Sequence, residues 1–176
     1  MIIKLDRDNI LYFSRYYPYI KKVELNKRLK YKALLGIGGN IGDVRRRFNH
    51  LFIFLKKSPY IEIFETAPTL KNPPFGYLNQ NYFYNSLIYI KTSLKPKALL
   101  RYILHLEKKF SRRRSFQDAP RTLDIDIIFY EDIIMDSKEL ILPHPSWRNR
   151  ASVLTPMSYM KSSYIKHIYL KKKGKK

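Results

Sequence analysis

The sequence predicts an α+β domain whose strands and helices follow the order β-α-β-β-α-β. Two stretches, 44–55 and 99–110, repeat apolar residues at the 3.6-residue period of a helix buried on one side. Four others, at 31–36, 60–66, 82–92 and 123–130, are apolar or alternating runs of strand length. Gly, Pro and Asn punctuate the junctions between them. With 176 residues, 45% hydrophobic and 15% aromatic, the chain is long enough to bury one core.

Residues 1–31, rich in Tyr and Lys and interrupted by Pro18, have no clear period. They read as a partly helical extension packed on a domain of residues 32–160, with a basic tail at 161–176. Tyr31 to Gly36 reads as the first strand, leading into Gly36-Ile37-Gly38-Gly39-Asn40-Ile41-Gly42-Asp43. Four glycines in seven positions predict a tight, backbone-exposed turn. Asp43 or Asn40 can cap a helix whose stripe is Val44, Phe48, Leu51, Phe52 and Leu55, closed by Pro59. Tyr60 to Thr66 alternates as a second strand. A long loop, Ala67 to Asn81, carries Pro68, Pro73, Pro74 and Gly76, and a loop of that length in a compact domain is usually functional. Tyr82 to Thr92 is the third strand. Pro96 starts the second helix, with Leu99, Leu100, Ile103, Leu106 and Phe110 on its stripe. An arginine-rich loop, Ser111 to Arg121, precedes the fourth strand, Leu123 to Tyr130. A short strand around Glu139 to Leu142 and a helix over Ser152 to Met160 follow. The order is that of a ferredoxin-like split unit with a largely antiparallel sheet and additional C-terminal elements. That scaffold hosts many activities, so function has to be read from the site.

The formal charge of +21 invites a nucleic-acid reading, but its distribution argues against one. Residues 1–31 carry a net +5 and residues 161–176 a net +7, leaving +9 for the 129 residues between. Tail lysines are usually a solvated terminus, and the central arginines cluster in short segments that suit a polyphosphate. There is no cysteine, which excludes disulfides and cysteine-ligated zinc. No apolar run approaches a membrane span, and Asp6, Arg7 and Asp8 break any secretory signal pattern. The expectation is a soluble cytoplasmic protein.

The stretch that carries chemistry is Pro120-Arg121-Thr122-Leu123-Asp124-Ile125-Asp126-Ile127-Ile128. Residues two apart on a strand share a face, so Asp124 and Asp126 present their carboxylates together while Leu123, Ile125 and Ile127 enter the core. Adjacent carboxylates repel and call for a cation between them. A hard ion such as Mg²⁺, held by one or two carboxylates and by substrate phosphates, meets that need. Arg112, Arg113, Arg114 and Arg121 precede the pair, and arginine forks match phosphate oxygens. Pro143-His144-Pro145, followed by Arg148 and Arg150, offers a histidine with a constrained backbone among further cations. Asn85 matters if it faces the cleft, where an amide can pair with a heterocycle edge. The glycine run lacks the lysine and spacing of a Walker A loop and does not match G-x-G-x-x-G, so it reads as a turn packed closely against substrate or sheet.

From about Ala33 to Met160 the chain resembles the 6-hydroxymethyl-7,8-dihydropterin pyrophosphokinases of folate biosynthesis. The resemblance lies in Gly38 to Asn40, Thr66-x-Pro68, Gln80 with Phe83-Tyr84-Asn85, and Leu99-Leu100. It continues in Glu107 before the Ser-Arg-Arg-Arg segment, Pro-Arg-Thr-Leu-Asp-Ile-Asp-Ile, and Leu-Pro-His-Pro with Asn149-Arg150. It implies transfer of pyrophosphate from ATP to the pterin's hydroxymethyl group, with release of AMP. It implies two Mg²⁺ ions on Asp124 and Asp126, and phosphate binding by Arg112, Arg114, Arg121, His144 and Arg150. Glu107 and Ile127 would lie near the nucleotide, and Thr66, Pro68, Phe83 and Asn85 around the pterin. A monomer acting on small molecules, with neither membrane nor nucleic acid, is expected.

The chain also departs from the family's pattern. Gly39 stands where a Ser is usual, and the arginine loop is about one residue shorter and lacks a Trp, with Phe116 or Asp118 in that region. Ser152 occupies the place of an aromatic that stacks on the pterin. The loop from Ala67 to Asn81 is longer than usual, and Phe75 or Tyr77 within it is the expected substitute. The competing class is a nucleic-acid-binding module on the same scaffold, which gives the aspartate pair no role.

Overall fold

The computed structural model describes residues 1–21, 28–74, 76, 78–110, 119–165 and 167. Three short strands come first: β1 (Ile2–Lys4), β2 (Ile10–Tyr12) and β3 (Tyr19–Ile20). Next are β4 (Tyr31–Gly39), α1 (Val44–Lys56), β5 (Ile61–Thr66), β6 (Thr69–Asn72) and β7 (Phe83–Thr92). Then follow α2 (Pro96–Lys109), β8 (Asp124–Tyr130), β9 (Met135–Asp136), β10 (Ile141–Leu142), a 3-10 turn (Trp147–Asn149) and α3 (Ala151–Ser158). The predicted β-α-β-β-α-β order is present as β4-α1-β5-β7-α2-β8. The main sheet runs β1-β2-β6-β7-β4-β8, with β5 also on β7 and β3 on β5. Its ladders are antiparallel throughout.

Alternation along the central strands separates two cores. Ala33, Leu35, Ile37, Ile88, Ile90, Ile125 and Ile127 meet the predicted stripe of α1 and Leu99, Ile103 and Leu106 of α2. On the other face Leu34, Leu87, Tyr89, Ile128 and Phe129 meet Trp147 and, from α3, Val153 and Met157. Each fully buried side chain of this kind contributes about 1.5–3 kcal/mol. Asp43 caps α1, its Oδ1 accepting the Arg46 N–H at 3.0 Å. Pro96 occupies the first turn of α2, where no N–H is needed.

Three expectations need correction. The described part of residues 1–31 holds strands, not helix. Its segments are too short to show a period, and each is fixed by a ladder partner: β1 on β2, β2 on β6, β3 on β5. The extension does pack on the domain. Leu11 and Tyr17 are buried, and the Tyr17 hydroxyl donates to the Phe48 carbonyl at 3.1 Å. Within the stretch read as one loop, Thr69–Asn72 forms β6, paired with β2 and with β7. Gly36, Gly38 and Gly39 belong to β4 rather than to a turn, and of the four only Gly42 has a positive φ, +67°.

Candidate active site

The glycines in β4 determine the shape of the site. β4 lies between β8 and β7, with Gly38 opposite Asp124 on one side and Asn85 on the other. Gly36 is likewise opposite Asp126 and Leu87. These residues lie on the face turned away from α1 and α2, so a floor without side chains separates the two carboxylates from Asn85. Two strand spacings make that separation roughly 10 Å. A Cβ on Gly38 would come within 2.7 Å of Asn85 Oδ1, and one on Gly36 within 3.0 Å of Ile128 Cδ1. Over this floor lies a cleft of about 510 Å³, which brings together Asp124, Asp126, Arg121, His144, Arg150, Phe83 and Asn85.

Charge in the cleft is arranged along its β8 side. Arg121 Nη1 donates to Asp124 Oδ2 at 2.6 Å, and its guanidinium carbon sits 5.3 Å from the centre of the Phe83 ring. Burial lowers the His144 pKa below its ordinary 6.5, Arg150 lowers it further, and Asp124 opposes them. The balance favours the neutral imidazole. Its Nδ1 accepts the Ser146 N–H at 3.3 Å, which leaves the proton on Nε2 as a donor. Among the described residues no group of three or more His, Cys, Asp or Glu side chains could hold a metal ion. Two carboxylates fit Mg²⁺, which keeps water and substrate phosphates as its other ligands, better than they fit a metal needing a full protein cage.

Residues 34–162 match the family model of 7,8-dihydro-6-hydroxymethylpterin-pyrophosphokinase (HPPK). The chain belongs to the HPPK family. A 2-amino-4-hydroxy-6-hydroxymethyldihydropteridine pyrophosphokinase of Helicobacter pylori is 39% identical over 149 residues, covering 82% of this chain and 89% of that protein. The protein of the same name from Campylobacter jejuni is 36% identical, covering 82% and 90%. That of Methylorubrum extorquens is 35% identical, covering 72% and 80%. The activity of this chain is thereby pyrophosphoryl transfer in folate biosynthesis.

Four other expected site residues, Thr66, Pro68, Glu107 and Ile127, are not among those lining the cleft. Thr66 and Pro68 are buried, and the Thr66 hydroxyl accepts the Tyr19 N–H at 2.9 Å and donates to the Tyr16 carbonyl. Glu107 is buried on α2, and its Oε1 accepts the Ile125 N–H at 2.7 Å, gripping β8 between the two aspartates. Ile127 belongs to the helix-side core. Arg112 and Arg114 lie outside the described residues, as do Arg113, Phe116, Asp118 and both proposed stacking aromatics, Phe75 and Tyr77. Ser152 does line the cleft.

The sequence reading missed three asparagine roles. Asn72 Oδ1 accepts from Asn85 Nδ2 at 2.7 Å, which fixes how the Asn85 amide is turned. Asn40, buried at the end of β4, ties three segments rather than capping α1. Its Oδ1 accepts the Arg121 N–H at 2.8 Å, while its Nδ2 donates to Gln80 Oε1 at 2.9 Å and the Asn81 carbonyl at 3.1 Å. Asn9, from the extension, also lines the cleft. The place of Gly39 has its own explanation: a Cβ there would meet the Thr122 carbonyl oxygen at 2.5 Å, so no Ser fits this backbone.

Proposed function

We propose that the cleft transfers the terminal pyrophosphoryl group of ATP to the hydroxymethyl oxygen of 6-hydroxymethyl-7,8-dihydropterin and releases AMP. The observation that carries this reading is the pair Asp124 and Asp126, set beside Arg121, His144 and Arg150 and facing Phe83 and Asn85 across a glycine floor. The pterin oxygen forms a bond to the β-phosphorus and the bond from that phosphorus to the α–β bridging oxygen breaks. AMP leaves with that oxygen, and the hydroxyl proton passes to solvent. Such a reaction demands positioning and charge neutralisation more than a strong base.

Asp124 and Asp126 hold Mg²⁺, two ions by the resemblance, and the metal supplies Lewis-acid neutralisation of phosphate charge. Arg121 and Arg150 offer guanidinium donors to phosphate oxygens, and His144 offers Nε2–H. Arg112 and Arg114 join them from the loop. Phe83 and Asn85 orient the pterin at the far side of the floor, Phe83 by its ring face and Asn85 by its amide. Thr66 and Pro68 lie around the pterin and Glu107 and Ile127 near the nucleotide, by the resemblance, with Glu107 bonded to the strand that carries the aspartates. We also propose a monomer, cytoplasmic, acting on ATP and the pterin and not on nucleic acid. Its working domain is 32–160, flanked by the extension at 1–31 and the tail at 161–176. Among the described residues, no helix is long and apolar enough to cross a membrane.

The test is AMP release from ATP and Mg²⁺ with and without the pterin. AMP that depends on pterin, is abolished by EDTA, and is lost in Asp124→Ala and in Asp126→Ala with the thermal transition kept, is the expected result. Turnover near wild type in both variants would remove the metal role. No AMP under any condition would overturn the reaction and leave the nucleic-acid reading to be pursued.

A further inference from the structure

Among the residues lining the cleft, Asn9 comes from the N-terminal extension. β2 adds to the outer edge of β6 with Ile10 opposite Lys71 and Leu11 opposite Leu70. One residue further along, that register sets Asn9 beside Asn72. β6 in turn pairs Asn72 with Phe83 and Leu70 with Asn85 on β7. Residues of one row across a sheet share a face, so Asn9, Asn72 and Phe83 form a row next to that of Asn85, Gly38 and Asp124. All six line the cleft. The hairpin of β1 and β2 therefore extends the floor of the site by one strand and ends it with an amide.

That amide is held in one orientation. Asp6 Oδ1 accepts the backbone N–H groups of Asp8 and Asn9, each at 2.8 Å, which closes the turn. Both Asp6 oxygens accept from Asn9 Nδ2, at 3.0 and 2.8 Å. These bonds keep the Asp6 carboxyl below its ordinary pKa, the Asn9 side chain contributing most. One N–H of Nδ2, shared between the two Asp6 oxygens, fixes how the amide is turned, and the acceptor Asn9 offers a ligand is its carbonyl oxygen. The same turn is tied to the segment just before β7, since the Tyr82 hydroxyl donates to Asp8 Oδ1 at 2.8 Å.

We propose that Asn9 is a specificity-determining residue of the pterin subsite, its Oδ1 accepting from an N–H donor on the heterocycle. This rests on the pyrophosphokinase reading. The chemistry matches: a pterin carries amino and ring N–H donors on the edge remote from its hydroxymethyl group. Asn9 likewise stands at the end of the floor remote from Asp124 and Asp126. Adenine phosphates, drawn to the β8 side, do not reach it.

The experiment compares wild type, Asn9→Ala and Asn85→Ala in steady-state turnover with each substrate varied, alongside thermal melting. One lost hydrogen bond in a partly desolvated site is worth about tenfold. Asn9→Ala should raise the pterin KM about tenfold, hold the ATP KM, and melt within a few degrees of wild type. A pterin KM equal to wild type, while Asn85→Ala raises it, would overturn the proposal. So would losses shared equally by both substrates together with a lowered melting temperature, which would make Asn9 a folding residue of the turn. A wild-type chain without pterin-dependent AMP would instead refute the pyrophosphokinase reading itself.

Discussion

Replacing Gly38 by Ala tests the flat floor directly. The added Cβ would lie 2.7 Å from Asn85 Oδ1, whereas an ordinary contact needs about 3.5 Å, so the amide must retreat by about 0.8 Å. Retreat from β4 is movement toward β6, where Asn85 Nδ2 already lies 2.7 Å from Asn72 Oδ1. The amide has to rotate out of that bond, which costs about 1 kcal/mol, and it loses its bond to the pterin, worth about as much again. A total of about 2 kcal/mol is a loss of roughly 30-fold in pterin affinity. Isothermal titration with the pterin and a non-hydrolysable ATP analogue measures it. Gly36→Ala is the internal control. Its Cβ meets the tip of the Ile128 side chain at 3.0 Å, and that side chain can turn aside, so a smaller loss is expected. Wild-type pterin affinity in Gly38→Ala, with melting unchanged, would refute the claim that the glycine holds Asn85 and the pterin at this floor.

Two further substitutions address stability. Gly39→Ser, which restores the residue usual in the family, should destabilise this chain by about 1–3 kcal/mol, because the obstacle is the Thr122 backbone oxygen at 2.5 Å and not a movable side chain. Denaturant unfolding reads it, and an unchanged midpoint would show that the Arg121–Thr122 segment yields. Tyr17 is fully buried and its hydroxyl pKa is pushed well above the ordinary 10.0 by burial. The folded chain thus keeps a proton that the unfolded chain releases above pH 10, so wild-type stability falls as pH rises through that value, by about 1.4 kcal/mol per pH unit for this group. Tyr17→Phe should cost about 1 kcal/mol at pH 7 through the lost bond to Phe48, and should blunt the decline above pH 10. Parallel stability curves for the two proteins would sink that account.

The elements that could be read from sequence are those whose partners lie within a few residues or repeat at a fixed period. Val44 to Leu55 and Leu99 to Leu106 announce helices through their own spacing, and Asp124 and Asp126 announce their shared face by the strand period of two. β1, β2 and β6 could not be read this way. With 3, 3 and 4 residues they have no measurable period, and their strand character comes from ladder partners, of which the β2–β6 pairing joins segments about sixty residues apart. The glycines misled because glycine in sequence signals a turn, whereas in β4 what counts is the missing Cβ at the cleft floor and beside Thr122. Asn9, Asn40 and Asn72 are ordinary polar residues until pairing sets them beside Asn72, Arg121 and Asn85, respectively. Glu107 was associated with the nucleotide by resemblance. Its bond to Ile125 depends on α2 lying along the outer edge of β8, which no local spacing encodes.

The extension has a consequence for how this protein behaves among its own copies. β2 covers the backbone edge of β6, β3 covers that of β5, and the Tyr16 ring stacks 4.6 Å from Phe52. A chain trimmed to the family-matched span beginning at residue 34 would bare both edges at once, together with the apolar surface under Leu11 and Tyr17. Open strand edges beside uncovered hydrophobic area are a template for another chain's backbone. Trimming the extension is therefore expected to promote self-association through the bared edges of β5 and β6 as much as to lose contacts.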